Sequence, residues 1–449
     1  MATDKNMTDM TVGNPLSHIL KFAVPLLVGN IFQQFYSMVD SIVVGRYVGA
    51  NALAAVGTCN SSVFLFFSLT SGLAVGMGII VAQYFGAKND TQIKKTITSG
   101  AYVLLGMSIL VGVLAYCLAP VILHLMQTPE EIIGDSITYM RTSCFGIIGI
   151  ALYNEIASVL RALGDSKTPL YFLFLSSITN IVLDLLLVLS FGMVVFGVAL
   201  ATVISQYISF AACAVFAVKK VSYFKLDKED LRPQKKIIFE SFRLGIPIAL
   251  QNSMIAISMM VLQGIVNAFG TSVMAAYTVV GKVEMIVQQP YGSLSMAITN
   301  YSGQNIGAGR LDRVKQGFKI STVIALAFSL MLLPIAYIFG ETIIRFFVTE
   351  PAVIEIGARA LRINSICYFA LGMIYVPRAV LNGCGDTGFS MINGITEVAC
   401  RIGYSNILTR IPAIGYWGIW FTTCATYVTT AIICCIRYST GKWKDKVIK

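Results

Sequence analysis

Long apolar stretches alternate with short polar breaks along the whole chain. They run at 16–44, 52–84, 96–119, 132–160, 168–191 and 194–218; after the polar run Lys219 to Lys236 they resume at 240–267, 272–305, 315–340, 356–382, 388–409 and 415–438. About 20 mostly apolar residues in a helix cross the hydrocarbon core of a bilayer. Each stretch therefore predicts one crossing, and the chain predicts twelve. The expected class is an all-α integral membrane protein.

The pattern repeats at half the chain length. Ala82-Gln83-Tyr84-Phe85-Gly86-Ala87 matches Gly303-Gln304-Asn305-Ile306-Gly307-Ala308, a separation of 221 residues. Leu163-Gly164-Asp165-Ser166 matches Cys384-Gly385-Asp386-Thr387, and Ala54-Ala55 matches Ala275-Ala276, at the same separation. Pro25 pairs with Pro247 after a one-residue gap. The repeat predicts two pseudo-symmetric six-helix bundles: a first lobe over 1–220, a cytoplasmic linker over 221–236 and a second lobe over 237–449. Internal repeats of this kind build alternating-access transporters, with the substrate path at the repeat interface.

Composition agrees. Hydrophobic residues are 56% and charged residues only 12% of 449, half of what a water-covered surface needs. The net charge of +11 would suggest nucleic acid in a soluble chain. Here the basic residues fall in alternate loops: Lys88, Lys94, Lys95, Arg161, Lys167, Arg310, Arg313, Lys315 and the run 219–243 on one side, few such as Arg46, Arg345 and Arg410 on the other. The positive-inside rule puts the first set, with both termini, in the cytoplasm, and no nucleic-acid partner is expected. The first 14 residues are polar without a cleavage pattern, so the first span is expected to be retained. Ten cysteines lie nearly all in apolar stretches without paired spacing and read as small core residues; His18 and His124 are too few for a histidine metal site.

Polar groups inside a span are costly and so are functional candidates. Span 1 carries Gln33, Tyr36, Ser37 and Asp40 along one stripe, span 5 carries Asn180 and Asp184 one turn apart, and span 6 carries Thr202 and Gln206 one turn apart. Together they outline one acidic cavity. Burial of two neighbouring carboxylates favours proton uptake, and with an amide and a hydroxyl they offer oxygen ligands for a small cation. Pro25 frees a backbone carbonyl in span 1 and marks a bend. The expectation is that a proton or small cation at Asp40 and Asp184 changes this bend and hence substrate affinity. The second half differs: Asp184 falls on Ser405, Asn180 on Arg401, and Asp40 on Val261 or Leu262. It carries Lys282, Glu284, Arg378, Glu397 and Arg401 instead. Glu397 and Arg401 make either an intrahelical pair or a substrate contact; Glu284 with Gln288 is the stronger candidate for a cationic substrate.

Other signals carry less. Gly383-Cys384-Gly385-Asp386 resembles a protease GxGD string, but it recurs in the other half and lacks a Tyr-Asp partner, so it reads as a turn with an Asp cap. Gly72-x-x-x-Gly76 and Gly303-x-x-x-Gly307 predict close helix packing. With no P-loop string, an ion gradient is the expected energy source, no cofactor is expected, and the chain is not expected to be an enzyme. One charge crossing 100 mV releases about 2.3 kcal/mol.

Several strings resemble one family. Val24-Pro25 through Asp40, Gly45-x-x-x-Gly49 and Leu53-Ala54-Ala55-Val56-Gly57 resemble the first-helix signature of the multidrug and toxic compound extrusion (MATE) family. Gln304 to Gly309, Arg161 to Asp165 and Asn180 to Asp184 resemble its later signatures. The resemblance spans essentially the whole chain. It implies antiport of organic cations, as drug-like small molecules, against H+ or Na+ in the cell membrane by a monomer. It also implies that Asp40, Asn180, Asp184 and Thr202 match the cation site of the DinF-type branch, with Tyr139 and Asn154 as polar positions of the same lobe. The carboxylate site of NorM-type members has no clear match, because Arg378 and Asn382 occupy that neighbourhood, and the Glu397/Arg401 pair is more similar to the MepA-type branch. The alternative within the superfamily, a flippase for lipid-linked substrates, calls for a more basic cavity.

Overall fold

A computed structural model describes residues 7–43, 45 and 49–448, with the backbone alone at 39–43, 50 and 61. The described residues form thirteen α-helices and no strand. The first six are α1 (Pro15–Val43), α2 (Ala50–Gly86), α3 (Asp90–Leu125), α4 (Glu130–Ala162), α5 (Lys167–Leu185) and α6 (Val195–Lys220). The rest are α7 (Lys235–Val266), α8 (Thr271–Gly307), α9 (Leu311–Arg345), α10 (Pro351–Ile366), α11 (Tyr368–Gly383), α12 (Gly388–Leu408) and α13 (Gly418–Ser439).

Among the described residues nine helices are long and apolar enough to cross a membrane: α1 to α7, α9 and α13. α10 and α11 make a tenth crossing, bent by 48°. α8 and α12 are less apolar because Lys282, Glu284, Gln288 and Gln289 interrupt one, and Asn393, Glu397 and Arg401 the other. With these two the crossings number twelve. The stretch 356–382, expected as one span, is thus a broken one. The break at Cys367 follows Asn364 and Ser365. The Ser365 hydroxyl donates back to the Arg362 carbonyl (2.8 Å) and the Asn364 amide donates to Glu284 (2.6 Å). Such back-bonding bends helices.

The chain packs as two compact units, one of residues 1–10 and 24–249, the other of 11–23 and 250–449. In the first, α4 runs against α2, α3 and α6, over an apolar core that includes Ala52, Cys59, Leu123, Met140 and Val198. In the second, α11 packs on α8, α9 and α13, and Leu262, Val266, Val280, Leu361 and Trp420 share a core. All ten cysteines are free.

The run expected as a linker at 221–236 packs within the first unit. Lys94 pairs with Asp230 (3.3 Å) and Asp227 (3.6 Å), Tyr223 donates to Asp90 (2.9 Å), and the Gln234 N–H donates to Ser99 (3.0 Å). The Asp227 N–H and then Lys94 hold the Asp230 carboxyl below its ordinary 3.8. A carboxyl depressed by folding stabilises the fold above its unfolded value and ceases to do so as pH falls through the folded one. Limited proteolysis across 225–233 should therefore accelerate only below pH 3.8; cleavage that is already fast at neutral pH would contradict this.

The repeated turns share a backbone. Gly164 and Gly385 both have φ +89°, a left-handed conformation suited to glycine. Asp165 N–H bonds to the Leu160 carbonyl as Asp386 N–H does to that of Leu381, both at 2.9 Å. The side chains diverge. Asp165 Oδ1 accepts from the N–H groups of Lys167 and Thr168 at 3.0 Å and caps α5 as expected. Asp386 does not cap: its carboxylate takes the Arg437 guanidinium in two bonds of 2.8 and 3.0 Å. Asp165→Ala should cost about 1 kcal/mol, the worth of a cap, whereas Asp386→Ala removes two charge-assisted bonds to Arg437 and should cost about 2 kcal/mol. Thermal unfolding in detergent distinguishes them, and equal losses would refute the difference in role.

Candidate functional site

In the first unit three helices bring polar side chains together. α1 contributes Tyr36, α5 contributes Asn180 and Asp184, and α6 contributes Thr202. Asn180 and Asp184 are each only 1% exposed. Helical spacing alone sets these two on one face. α1 rests on α5 through the edge-on rings of Phe32 and Phe174, 4.3 Å apart. Directly beyond Asp184 the helix closes in a π-helical turn, Leu186–Ser190, a feature that recurs at functional sites.

Asn180 is the hub. With its amide nitrogen turned toward α1 it donates to the Tyr36 hydroxyl and to Asp184 Oδ2 (3.0 Å). Its oxygen then accepts from the Thr202 N–H (3.1 Å) and lies 3.3 Å from the Thr202 hydroxyl. The reverse orientation sets that oxygen against the Asp184 carboxylate and the nitrogen against the Thr202 N–H, so the first is the satisfied one. One carboxylate, one amide and two hydroxyls thus converge from three helices, with Asn180 and Asp184 buried and Tyr36 and Thr202 half-buried. These are hard oxygen donors suited to a proton or a small cation. The side chain of Asp40, the fourth expected ligand, lies outside the described residues, and so does Arg46.

The remaining expected members of this unit lie on α1, α4 and α6. Gln33 and Ser37 stay exposed on α1, with the Ser37 hydroxyl bonded to the Gln33 carbonyl (3.0 Å). Tyr139 packs in the apolar core beside Val198. Asn154 is half-buried on α4. Gln206 lies one turn beyond Thr202, and its buried Oε1 faces Gly146 of α4 with no hydrogen-bond partner among the described residues. Pro25 sits inside α1, eleven residues ahead of Tyr36. Glu155 was not singled out from sequence. It is 3% exposed, lies near Gly100 and Met77, and its Oε1 has no partner among the described residues. The rule that a charge inside a span is a candidate would have found it.

The second unit holds a separate polar cluster. Glu284 accepts from the Asn364 amide at 2.6 Å, a partner that no sequence spacing announces. Tyr375 donates weakly to Gln288 (3.5 Å), and the Arg378 guanidinium lies 4.9 Å from the Tyr375 ring centroid. Glu397 and Arg401 form the expected i, i+4 pair at 3.0 Å, both buried.

Comparison with known proteins agrees with this architecture. A family model described as MatE matches residues 25–186 and 247–405, one segment in each half. Probable multidrug resistance protein YoeA of Bacillus subtilis is 29% identical over 435 residues, covering 95% of this chain and 94% of the relative. Probable multidrug resistance protein YpnP of the same organism is 28% identical, covering 97% of each. The solved structure titled "Crystal structure of MATE in the bent conformation" superposes with a TM-score of 0.89 at 22% identity, covering 96% of this chain and 97% of that one. The fold is therefore that of twelve transmembrane helices in two six-helix bundles. With both halves matched by the one model, the chain belongs to the MatE family of multidrug efflux transporters.

Proposed function

We propose that this protein is a cation-coupled antiporter that expels organic, cationic, drug-like molecules from the cytoplasm in exchange for H+ or Na+. The observation that carries the reading is the buried Asp184, bonded through Asn180 to Tyr36 of α1 and to Thr202 of α6. A carboxylate inside a membrane span persists only where it is compensated. Here the compensation is an exchangeable ion, held by Asp184, Asn180 and Thr202 together with Asp40 of α1.

The coupling step follows from the shared hub. An ion at Asp184 occupies the carboxylate oxygen that accepts from the Asn180 amide N–H, displaces that amide, and so weakens the bond that the same NH2 group makes to Tyr36. Releasing Tyr36 frees the half of α1 beyond Pro25 to change its bend, and the substrate path changes with it. The ion acts only through its differential affinity for the two shapes. Glu284 and Gln288 of the second unit supply an acidic and a polar contact for a cationic substrate. The protein works as a monomer in the cell membrane with both termini in the cytoplasm. Support comes from the basic residues concentrated in one alternate set of loops.

The test is transport of a fluorescent cationic dye in proteoliposomes, with pH and sodium gradients imposed separately. One of the two gradients should drive the dye uphill. Equilibration without accumulation under either gradient would leave a passive channel and remove the proposal.

A further inference from the structure

The two units share a framework but not its chemistry. α5 packs on α6 as α12 packs on α13. The Thr202 hydroxyl reaches the Val198 carbonyl at 3.1 Å, and Thr423, its counterpart in the repeat, reaches the counterpart carbonyl of Ile419 at 3.4 Å. On this common scaffold the acids of the first unit have no second copy. Asp184 becomes Ser405, whose hydroxyl bonds to its own helix at the Ile402 carbonyl (3.2 Å). Asp40 falls on Val261 or Leu262, and Leu262 lies in the apolar core.

At the position of Asn180, the hub of the first site, the second unit carries Arg401. This residue is 4% exposed and brings its own carboxylate: Nη2 lies 3.0 Å from Glu397 Oε1. Glu397 on its own helix pairs with it, and Tyr427 of α13 with Tyr277 and Glu284 of α8 are near enough to act on its charge. A guanidinium cannot leave its backbone and keeps its charge across the working pH range.

We propose that Arg401 is a built-in counterion, whose guanidinium fills in the second unit the role that an exchangeable cation fills in the first. The second unit therefore adds no exchangeable ion to the cycle, and exchange of the one ion at the first site for a monovalent cationic substrate moves no net charge. The assignment rests on the reading of Asp184 and Asn180 as the coupling site.

Net charge movement tests it without knowing which ion is used. Ethidium, a monovalent cation, is followed in proteoliposomes under a fixed ion gradient, with and without a potassium diffusion potential. In the wild type and in Arg401→Lys the dye ratio should ignore the potential. In Arg401→Gln, and in Arg401→Asn combined with Ser405→Asp, the vacated space takes a second exchangeable ion. A potential of 100 mV should then shift the dye ratio about fiftyfold. A wild type that itself responds to the potential overturns the proposal, and so do neutral variants that transport dye yet ignore it. Should the neutral variants not fold, Arg401→Ala in detergent should regain thermal stability with low concentrations of guanidinium while the wild type does not, and no regain also overturns the proposal. Asp184→Asn separates the two ideas: if it still accumulates dye against its gradient, the first-unit reading fails, whatever Arg401 does.

Discussion

Asp184→Asn should abolish uphill export while leaving the protein folded. At one ion per substrate, a tenfold ion gradient sustains about a tenfold substrate gradient, worth 1.4 kcal/mol. The variant should bring that ratio to one, whereas downhill equilibration persists. The fold survives because the amide has the shape of the carboxylate and still offers an oxygen to Asn180, which donates to Asp184 Oδ2 at 3.0 Å. What is lost is the negative charge that makes the site hold an ion. Asp40→Asn, at the other proposed acidic ligand, should have the same effect. Dye accumulation in proteoliposomes, read beside size-exclusion profiles, gives the answer. An Asp184→Asn protein that still concentrates dye tenfold would exclude this residue from coupling.

A large expected effect on folding lies at the crossing of α2 and α7. A Cβ added at Gly72 would lie 2.6 Å from the Ala249 nitrogen, and one at Gly76 would lie 2.8 Å from the Gly245 nitrogen. The obstacle is backbone in both cases and cannot rotate away. The crossing is also reciprocal, because a Cβ at Gly245 would meet Leu73 Cα at 2.6 Å. Overpacking a tight interior costs about 1–3 kcal/mol and occasionally more. Gly76→Leu should therefore give little folded protein, and Gly76→Ala a clearly less stable one. Gly106→Ala on α3, where nothing lies within 4 Å of the added carbon, should be neutral. Yield of monodisperse protein and melting temperature in detergent are the measurements. A Gly76→Leu protein as stable as the wild type would mean that these helices do not approach so closely.

Much of this was legible in the sequence because the bilayer is a simple solvent. Length and apolarity marked most crossings, with α8 and α12 weakened by their charged and amide residues, and the spacing of Asn180 and Asp184 put them on one face. The break at Cys367 was not legible: both flanking helices are apolar, and beside it Asn364 makes a tertiary bond to Glu284 that no local spacing announces. The matched strings around Asp165 and Asp386 show the same limit. They fold into one turn, yet Arg437, 51 positions further along, claims only the second carboxylate. Thr202 and Gln206 share a face in the sequence, but a one-turn rise carries Gln206 to Gly146 and away from Asn180. Spacing identifies a helix face. The residue that comes to face it is set by the packing of several helices at once.

The way the chain is shared between its halves has a consequence for cutting it. Residues 11–23 belong with the C-terminal half, and the opening turns of α7, 235–249, belong with the N-terminal one. A protease nick near residue 230 would leave each fragment without a strap that its own half requires, with the Gly72 and Gly76 notch of α2 left unfilled in the first. Two such fragments made separately should aggregate, and only co-synthesis should restore a native particle.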